Sequence, residues 1–394
     1  MLVNHPELVY FDNGATTFKP QPVIDAVMDF YTNGTSNVHR GDYPLSARAD
    51  ALYDGARVSL AKLLNCDVKE VAFTYGSTSG LNQIAYGMEK VFLKPGDVIL
   101  TTQTEHASNL LPWYRMERDA GIKIEYLPVD QQGVIRMEDA RKAMHEGVKA
   151  ITVAHVNNVL GSVQPVKELA KLAHEYGAYM IVDGAQSVPH MKTDVKDLDV
   201  DFLAFSGHKM CGPGGTGGLY GKYELLQKMD PYALGGGMNS RFNSCGEVLL
   251  KEAPEKYEAG TPNIEGIIGL GAAAEYLMSI GLDEIHERER QVRRYFSEKV
   301  RELDNIEFYN PDNETGPITF NAKGVFSQDA AGYLASRGIC VRSGNHCAKI
   351  LHEILGTDST IRASLYFYNT EEEVDRCVEA MKEISIENAI GIFF

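Results

Sequence analysis

The sequence predicts an α/β protein, with a mostly parallel sheet covered by helices in a large domain and a smaller α+β domain after it. Three observations carry this. From about residue 70, short apolar β-rich runs alternate with helix-like segments, the pattern of a parallel sheet with crossover helices. Glycine, hydroxyl and charged residues recur just after those runs, at the strand ends where open α/β sheets bind ligands. After Asn263 the texture changes, and 394 residues exceed the comfortable size of one core.

Val71 to Tyr75 reads as a strand and Ser79 to Lys94 as a helix stopped by Pro95-Gly96. Val98 to Thr102 is a strand, residues 108–120 a helix, and Ile122 to Leu127 a further strand. Ala150 to His155 and Ala178 to Val182 are strands flanking an amphipathic helix near 166–177, and Val200 to Phe205 is another strand. The Gly/Pro/Ser/Asn-rich stretch Pro231 to Gly246 is expected to be a loop. A small-residue helix, Ile264 to Ile280, and a charged one, Leu282 to Leu303, lead into the second domain, which begins near residue 276. Strands Ile306 to Tyr309, Pro317 to Asn321 and Ile339 to Arg342 there alternate with helices near 328–337 and 371–387.

Composition narrows the function classes. Apolar residues make up 44% and charged residues 23%, the balance of a globular protein with ample core. A net charge of −16 argues against nucleic-acid binding, which needs a basic surface. No apolar run reaches the length of a membrane span and no basic-then-apolar leader is seen, so a cytoplasmic protein without a membrane partner is expected. The six cysteines are scattered, without a Cys-x-x-Cys pair, so free thiols and no metal site are expected.

The chemistry concentrates on two strand ends. Asp183-Gly184-Ala185-Gln186 follows one apolar run, and Ser206-Gly207-His208-Lys209 follows the next, 26 residues from Asp183 to Lys209. A lysine able to form a Schiff base, with a carboxylate placed to hold a pyridinium nitrogen, is what pyridoxal 5′-phosphate (PLP) requires. A lysine after a strand is ordinarily a solvated charge, and the combination is what points to the cofactor. Gly76-Ser77-Thr78, at a helix start, offers hydroxyls and backbone N–H groups for a phosphate, a role compatible with ordinary N-capping.

With these motifs the sequence resembles the class V aminotransferase group of fold-type I PLP enzymes, and within it the group II (SUF-type) cysteine desulfurases and selenocysteine lyases. The likeness runs almost end to end, through Leu8 to Thr17, Asn37 to Gly41, Glu258 to Asn263, Arg342 to Ala348 and Arg362 to Leu365. It implies a seven-stranded sheet in a large domain, 16–275, and a small domain, 276–394, to which residues 1–15 belong. It further implies that Ser77, Thr78, Ser206 and His208 contact the phosphate, that His106 stacks on the pyridine ring, and that Gln186 bonds the phenolic oxygen. Asn158 would lie between that oxygen and the substrate carboxylate. Thr261 would reach the phosphate of a neighbouring subunit, making the site a shared property of a homodimer. His39 and Arg40 match a rim segment, with roles left open.

Lys209 would hold the cofactor and then move a proton at the substrate's α-carbon. That serves an aminotransferase equally well, and Cys347 separates the two readings. Cysteines are mostly inert small hydrophobes, as Cys340 and Cys377 look to be. Cys347 instead sits in a polar loop, Arg342 to Lys349, beside His346 and between cations. A thiolate is the side-chain nucleophile suited to sulfur. The resemblance implies that Arg362 forks onto the substrate α-carboxylate, with Arg342 either assisting at the same anion or orienting the loop. Two departures from the family pattern stand out: Asn345, where a second histidine is common, and Cys211, where an aromatic residue is common. The expected function is conversion of L-cysteine to L-alanine with a persulfide on Cys347 for a sulfur-acceptor protein in iron–sulfur cluster assembly. L-selenocysteine is an alternative substrate. Another class V aminotransferase or sulfur amino-acid lyase, or a sulfur-relay protein without turnover, are the competing readings.

Overall fold

The apolar runs of the first half pair into one seven-stranded sheet. In the computed structural model, which describes residues 5–391, the strand order is Val71–Thr74, Gly217–Gly221, Phe202–Ser206, Tyr179–Asp183, Val148–Ala154, Val98–Thr101, Lys123–Tyr126. Only Gly217–Gly221 runs antiparallel to its neighbours. The central strands are buried along their length, as strands covered on both faces must be.

Gly217–Gly221 carries too many glycines to read as a strand from sequence. The reason for them is proximity: a Cβ on Gly217 would lie 2.3 Å from the Phe205 carbonyl oxygen and 2.6 Å from Gly76 Cα. The strand thus lets the loop bearing Gly76 lie against the end of Phe202–Ser206.

Two helices absent from the sequence reading, Gln21–Asn33 and Pro44–Leu64, pack on Ile264–Ile280. Pro44–Leu64 also carries Arg57, whose guanidinium donates to both Glu258 carboxylate oxygens at 2.7 and 2.9 Å. The same carboxylate accepts from the Phe73 N–H (2.8 Å) and the Tyr53 hydroxyl (3.0 Å), so every donor around it is matched. Removing one member of such a buried pair leaves an uncompensated charge. Glu258→Ala should therefore cost about 3 kcal/mol or more, read as a lower denaturant midpoint, and a midpoint matching the parent would contradict it.

A second core gathers Val9 and Phe11 with Val292, Phe296, Phe320, Ile361 and Met381. Its antiparallel sheet has the order Ile306–Phe308, Ile318–Ala322, Thr360–Ala363, Arg342–Gly344. The expected strand Ile339 to Arg342 divides: Ile339–Cys340 pairs with Val9–Tyr10, and Arg342–Gly344 pairs with Thr360–Ala363. The helix expected over 371–387 closes at Lys382 and resumes as Ile386–Gly391. The stretch expected to be a loop from Pro231 to Gly246 is partly ordered, since Asn239–Phe242 and Val248–Leu250 form an antiparallel hairpin. Its turn is built by the Asn243 side chain, which accepts from the N–H groups of Cys245 and Glu247. Among the described residues no single helix is long and apolar enough to cross a membrane.

Candidate active site

Asp183 ends the strand Tyr179–Asp183, and Lys209 closes a 3₁₀ turn, Gly207–Lys209, at the end of the adjacent parallel strand. The Asp183 carboxylate is buried, accepts from the Ala185 N–H at 3.0 Å, and has no ion-pair partner within 4.0 Å among the described residues. Burial pushes its pKa up, against the N–H bond and the charge of Lys209. Burial also lowers the Lys209 amine from 10.5 to about 8, opposed by Asp183 and reinforced by Arg362 and Arg342.

The turn that carries Lys209 is braced from the N-terminal segment. The His208 carbonyl accepts from the Thr17 N–H (3.0 Å), the Thr16 and Thr17 hydroxyls (3.1 and 3.2 Å) and the Lys19 ammonium (3.2 Å). Cys211 lies just beyond, donating its N–H to the Thr17 hydroxyl at 2.9 Å. Its thiol is buried in the first core and pushed up to about 11, so it is a core thiol.

Beside the lysine turn, the helix Ser77–Val91 begins after Gly76 (φ 137°) without a side-chain cap. Ser206 Oγ accepts from the Ser77 N–H at 2.8 Å and donates to Ser77 Oγ at 3.0 Å, while the hydroxyls of Thr78 and Ser108 lie 2.7 Å apart. The His208 ring, lowered to about 4 chiefly by burial, is neutral here. His106 is likewise held at about 4, by burial first and then by Lys209, Arg362 and Arg342. Its Nδ1 accepts from the Ser108 N–H at 3.1 Å, so the ring proton sits on Nε2.

Glu105, next to His106, had no place in the sequence reading. Its carboxylate is buried and accepts from the Thr102 hydroxyl (2.8 Å), the Asn109 amide (2.8 Å) and the Ala154 N–H (2.7 Å), tying the His106 turn to two strand ends. The glutamate–histidine sequence was visible, but its inward direction was not.

Arg362 and Arg342 are register partners on antiparallel strands. Arg362 is buried, donates to the Asn158 carbonyl at 3.1 Å, and has its Nη2 3.4 Å from Asp12 Oδ1. Asn158 in turn donates its side-chain amide to the His346 carbonyl at 2.8 Å. Gln186 donates to the Gly14 carbonyl at 2.9 Å and keeps a second amide hydrogen.

Cys347 is exposed, and both it and His346 adopt left-handed backbone conformations (φ 58° and 50°) that non-glycine residues rarely take. The surroundings hold this loop. The Ala107 N–H donates to the Cys347 carbonyl at 2.8 Å, the Ala348 N–H donates to Asn345 O at 2.8 Å, and Asn158 holds the His346 carbonyl. Asn345, the departure from the family pattern, donates its amide to the Asp358 carbonyl, a brace of the same loop. The His346 ring is buried with Nε2 3.1 Å from the Thr360 carbonyl, and burial drives its pKa down to about 2. Through Asn158 the loop is linked to Arg362, since Asn158 holds the His346 carbonyl and its own carbonyl accepts from the Arg362 guanidinium.

One candidate stands apart. Thr261 is exposed, and its neighbours Gly260 and Pro262 line a surface pocket with Asn37, His39 and Arg40. Among the described residues it makes no hydrogen bond to the other candidate groups.

A buried carboxylate and a depressed lysine on adjacent strand ends, with a helix N-terminus beside them, define an α/β enzyme site at the carboxyl edge of the sheet. The chain belongs to the aminotransferase class-V family, whose model matches residues 9–377. It is 42% identical to a cysteine desulfurase of Haloferax volcanii, covering 95% of this chain and 88% of that one. A probable cysteine desulfurase of Halalkalibacterium halodurans is 44% identical, covering 97% and 94%. The apo cysteine desulfurase of Thermococcus onnurineus superposes with a TM-score of 0.92 at 40% identity, covering 96% and 94%. Within the family the chain therefore groups with the cysteine desulfurases, and its fold is the fold-type I architecture of those enzymes.

Proposed function

We propose that the protein is a PLP-dependent cysteine desulfurase that converts L-cysteine to L-alanine and keeps the sulfur as a persulfide on Cys347. The observation that carries this reading is the Cys347 loop, bonded to the His106 segment through the Ala107 N–H and joined through Asn158 to Arg362. An aminotransferase has no use for a thiol there.

The residues suit the cofactor. Asp183, a buried carboxylate without an ion-pair partner among the described residues, complements a protonated pyridine nitrogen. Ser77, Thr78, Ser206 and His208 would hold the phosphate at the uncapped helix start, and the second amide hydrogen of Gln186 would meet the phenolic oxygen. When bound, the cofactor supplies an electron sink for charge developing at the substrate's α-carbon. His106, as a neutral imidazole, would cover the ring face.

Arg362 would hold the α-carboxylate, aided by Arg342 and Asn158. Lys209, with its amine poised at about 8, would move the α-proton. The Cys347 thiolate attacks the substrate sulfur. The carbon–sulfur bond breaks with its electron pair on carbon, which takes a proton and becomes the methyl group of alanine, and Cys347 is left as S–SH. Thr261, exposed and without a hydrogen bond to the other candidate groups among the described residues, fits a contribution to the phosphate of a second copy of the chain in a homodimer. A sulfur-acceptor protein would then take the persulfide.

The test is the purified protein with L-cysteine and a reductant: visible absorbance of bound cofactor, with alanine and sulfide in equal amounts, is expected. Keto acid formation instead would replace this reading by an aminotransferase. Arg362→Ala should raise the half-saturation concentration of L-cysteine about tenfold to a hundredfold, the loss of a charge-assisted pair. An unchanged value would assign the carboxylate to another cation.

Lys209 also gives a pH prediction. Only the neutral amine captures the cofactor aldehyde, and the amine's pKa is lowered, so the reactive fraction grows through about pH 8. The rate at which apoprotein recaptures PLP should rise from pH 7 and level off above 9, after correction for free PLP. A rate that keeps rising towards 10.5, the ordinary lysine value, would contradict it.

A further inference from the structure

We propose that Asp12 is a specificity-determining residue, a built-in carboxylate on the Arg362 guanidinium that the α-carboxylate of an amino-acid substrate must displace. This rests on the reading of Arg362 given above. Three observations support it.

First, Arg342 and Arg362 stand directly opposite each other on antiparallel strands, where like charges repel. Asp12 is the carboxylate that answers both: the two guanidiniums oppose the upward push of burial on its carboxyl group. Second, the pairing is poor. It is a single contact at 3.4 Å, whereas a forked arginine–carboxylate pair closes to about 2.7–2.9 Å. The other Nη donates to the Asn158 carbonyl, and Nε is buried without a partner. A guanidinium with unspent N–H groups in a buried setting favours any carboxylate that can meet it more fully. Third, the two partners differ in freedom. The Arg362 side chain is 2% exposed within a central strand, while that of Asp12 is 26% exposed at an isolated bridge with Ser364 just after Val9–Tyr10. Asp12 is thus the member that can rotate towards water.

The consequence is selective. An amine with an α-carboxylate competes with Asp12 and gains the fork. An amine without one leaves the Asp12–Arg362 contact in place and gains nothing from the arginine.

The experiment titrates the holoenzyme with L-alanine and with ethylamine, which differ only in the carboxylate, following the visible absorbance of the cofactor. In Asp12→Asn the half-saturation concentration of L-alanine should fall about two- to fivefold, the worth of a partly exposed ion pair, and that of ethylamine should stay unchanged. Asp12→Ala should behave in the same way. An unchanged or raised value for L-alanine in Asp12→Asn overturns the proposal. A raised value in Asp12→Ala that Asp12→Asn restores also overturns it, because Asp12 then merely braces Arg362. Arg362→Ala separates the two levels. If it weakens L-alanine binding while Asp12→Asn does nothing, only the present inference falls. If it leaves L-alanine binding unchanged, the carboxylate site is misassigned and both readings fall.

Discussion

Cys347→Ser should bind PLP and L-cysteine normally and yet release alanine at least roughly a thousandfold more slowly, as befits loss of an enzyme's nucleophile. Binding should be spared because, on the proposed assignment, it uses Lys209, Asp183 and Arg362, which this substitution leaves alone. The loop backbone should persist, since Ala107 and Asn158 hold main-chain carbonyls rather than the thiol. What is lost is attack on sulfur, because a serine hydroxyl at neutral pH is a poor nucleophile. Mass spectrometry of the parent protein after one turnover should place one extra sulfur on the peptide bearing Cys347. Extra sulfur on Cys245, the other exposed cysteine, with Cys347→Ser still turning over cysteine, would overturn the assignment.

Lys209→Ala should lose turnover altogether and release PLP on dialysis. The substitution would remove both the proposed covalent anchor and an amine that burial lowers to about 8. It should not unfold the protein. The turn is held through the His208 carbonyl and the Cys211 N–H, neither of which is a Lys209 side-chain group. The measurements are bound cofactor by absorbance, reducible label by mass spectrometry and alanine formation. Retention of normal reducible label would place the anchor on another lysine. Lys19 would be one such candidate, since its ammonium donates to the His208 carbonyl in the same turn.

These two variants test residues that were legible in the sequence, because each sits where a periodic pattern breaks. Asp183 and Lys209 end apolar runs, and Cys347 interrupts the polar loop between Arg342 and Lys349. The helix Pro44–Leu64 was legible in principle, since its buried residues Ala49, Tyr53, Ala56, Leu60 and Leu64 recur at helical spacing. The strand Gly217–Gly221 was not. Gly217 answers to the Phe205 carbonyl on the neighbouring strand and to Gly76, which lies far before it in sequence, so its need for glycine is a tertiary one.

The sequence by itself determined the α/β class, the strand ends that carry chemistry and the residue types the chemistry needs. Those follow from local rules: the period of apolar residues and the reactivity of side chains. Only the tertiary structure decided which of those groups act on one another. It set Asp12 against the arginines, directed Glu105 inward beneath His106, and brought the Cys347 carbonyl to the Ala107 N–H. It also placed Thr261 in the open, between Gly260 and Pro262 of the pocket lined by His39 and Arg40. Pairings of this kind join segments from 49 to 350 residues apart, and their energies depend on burial that no local pattern encodes.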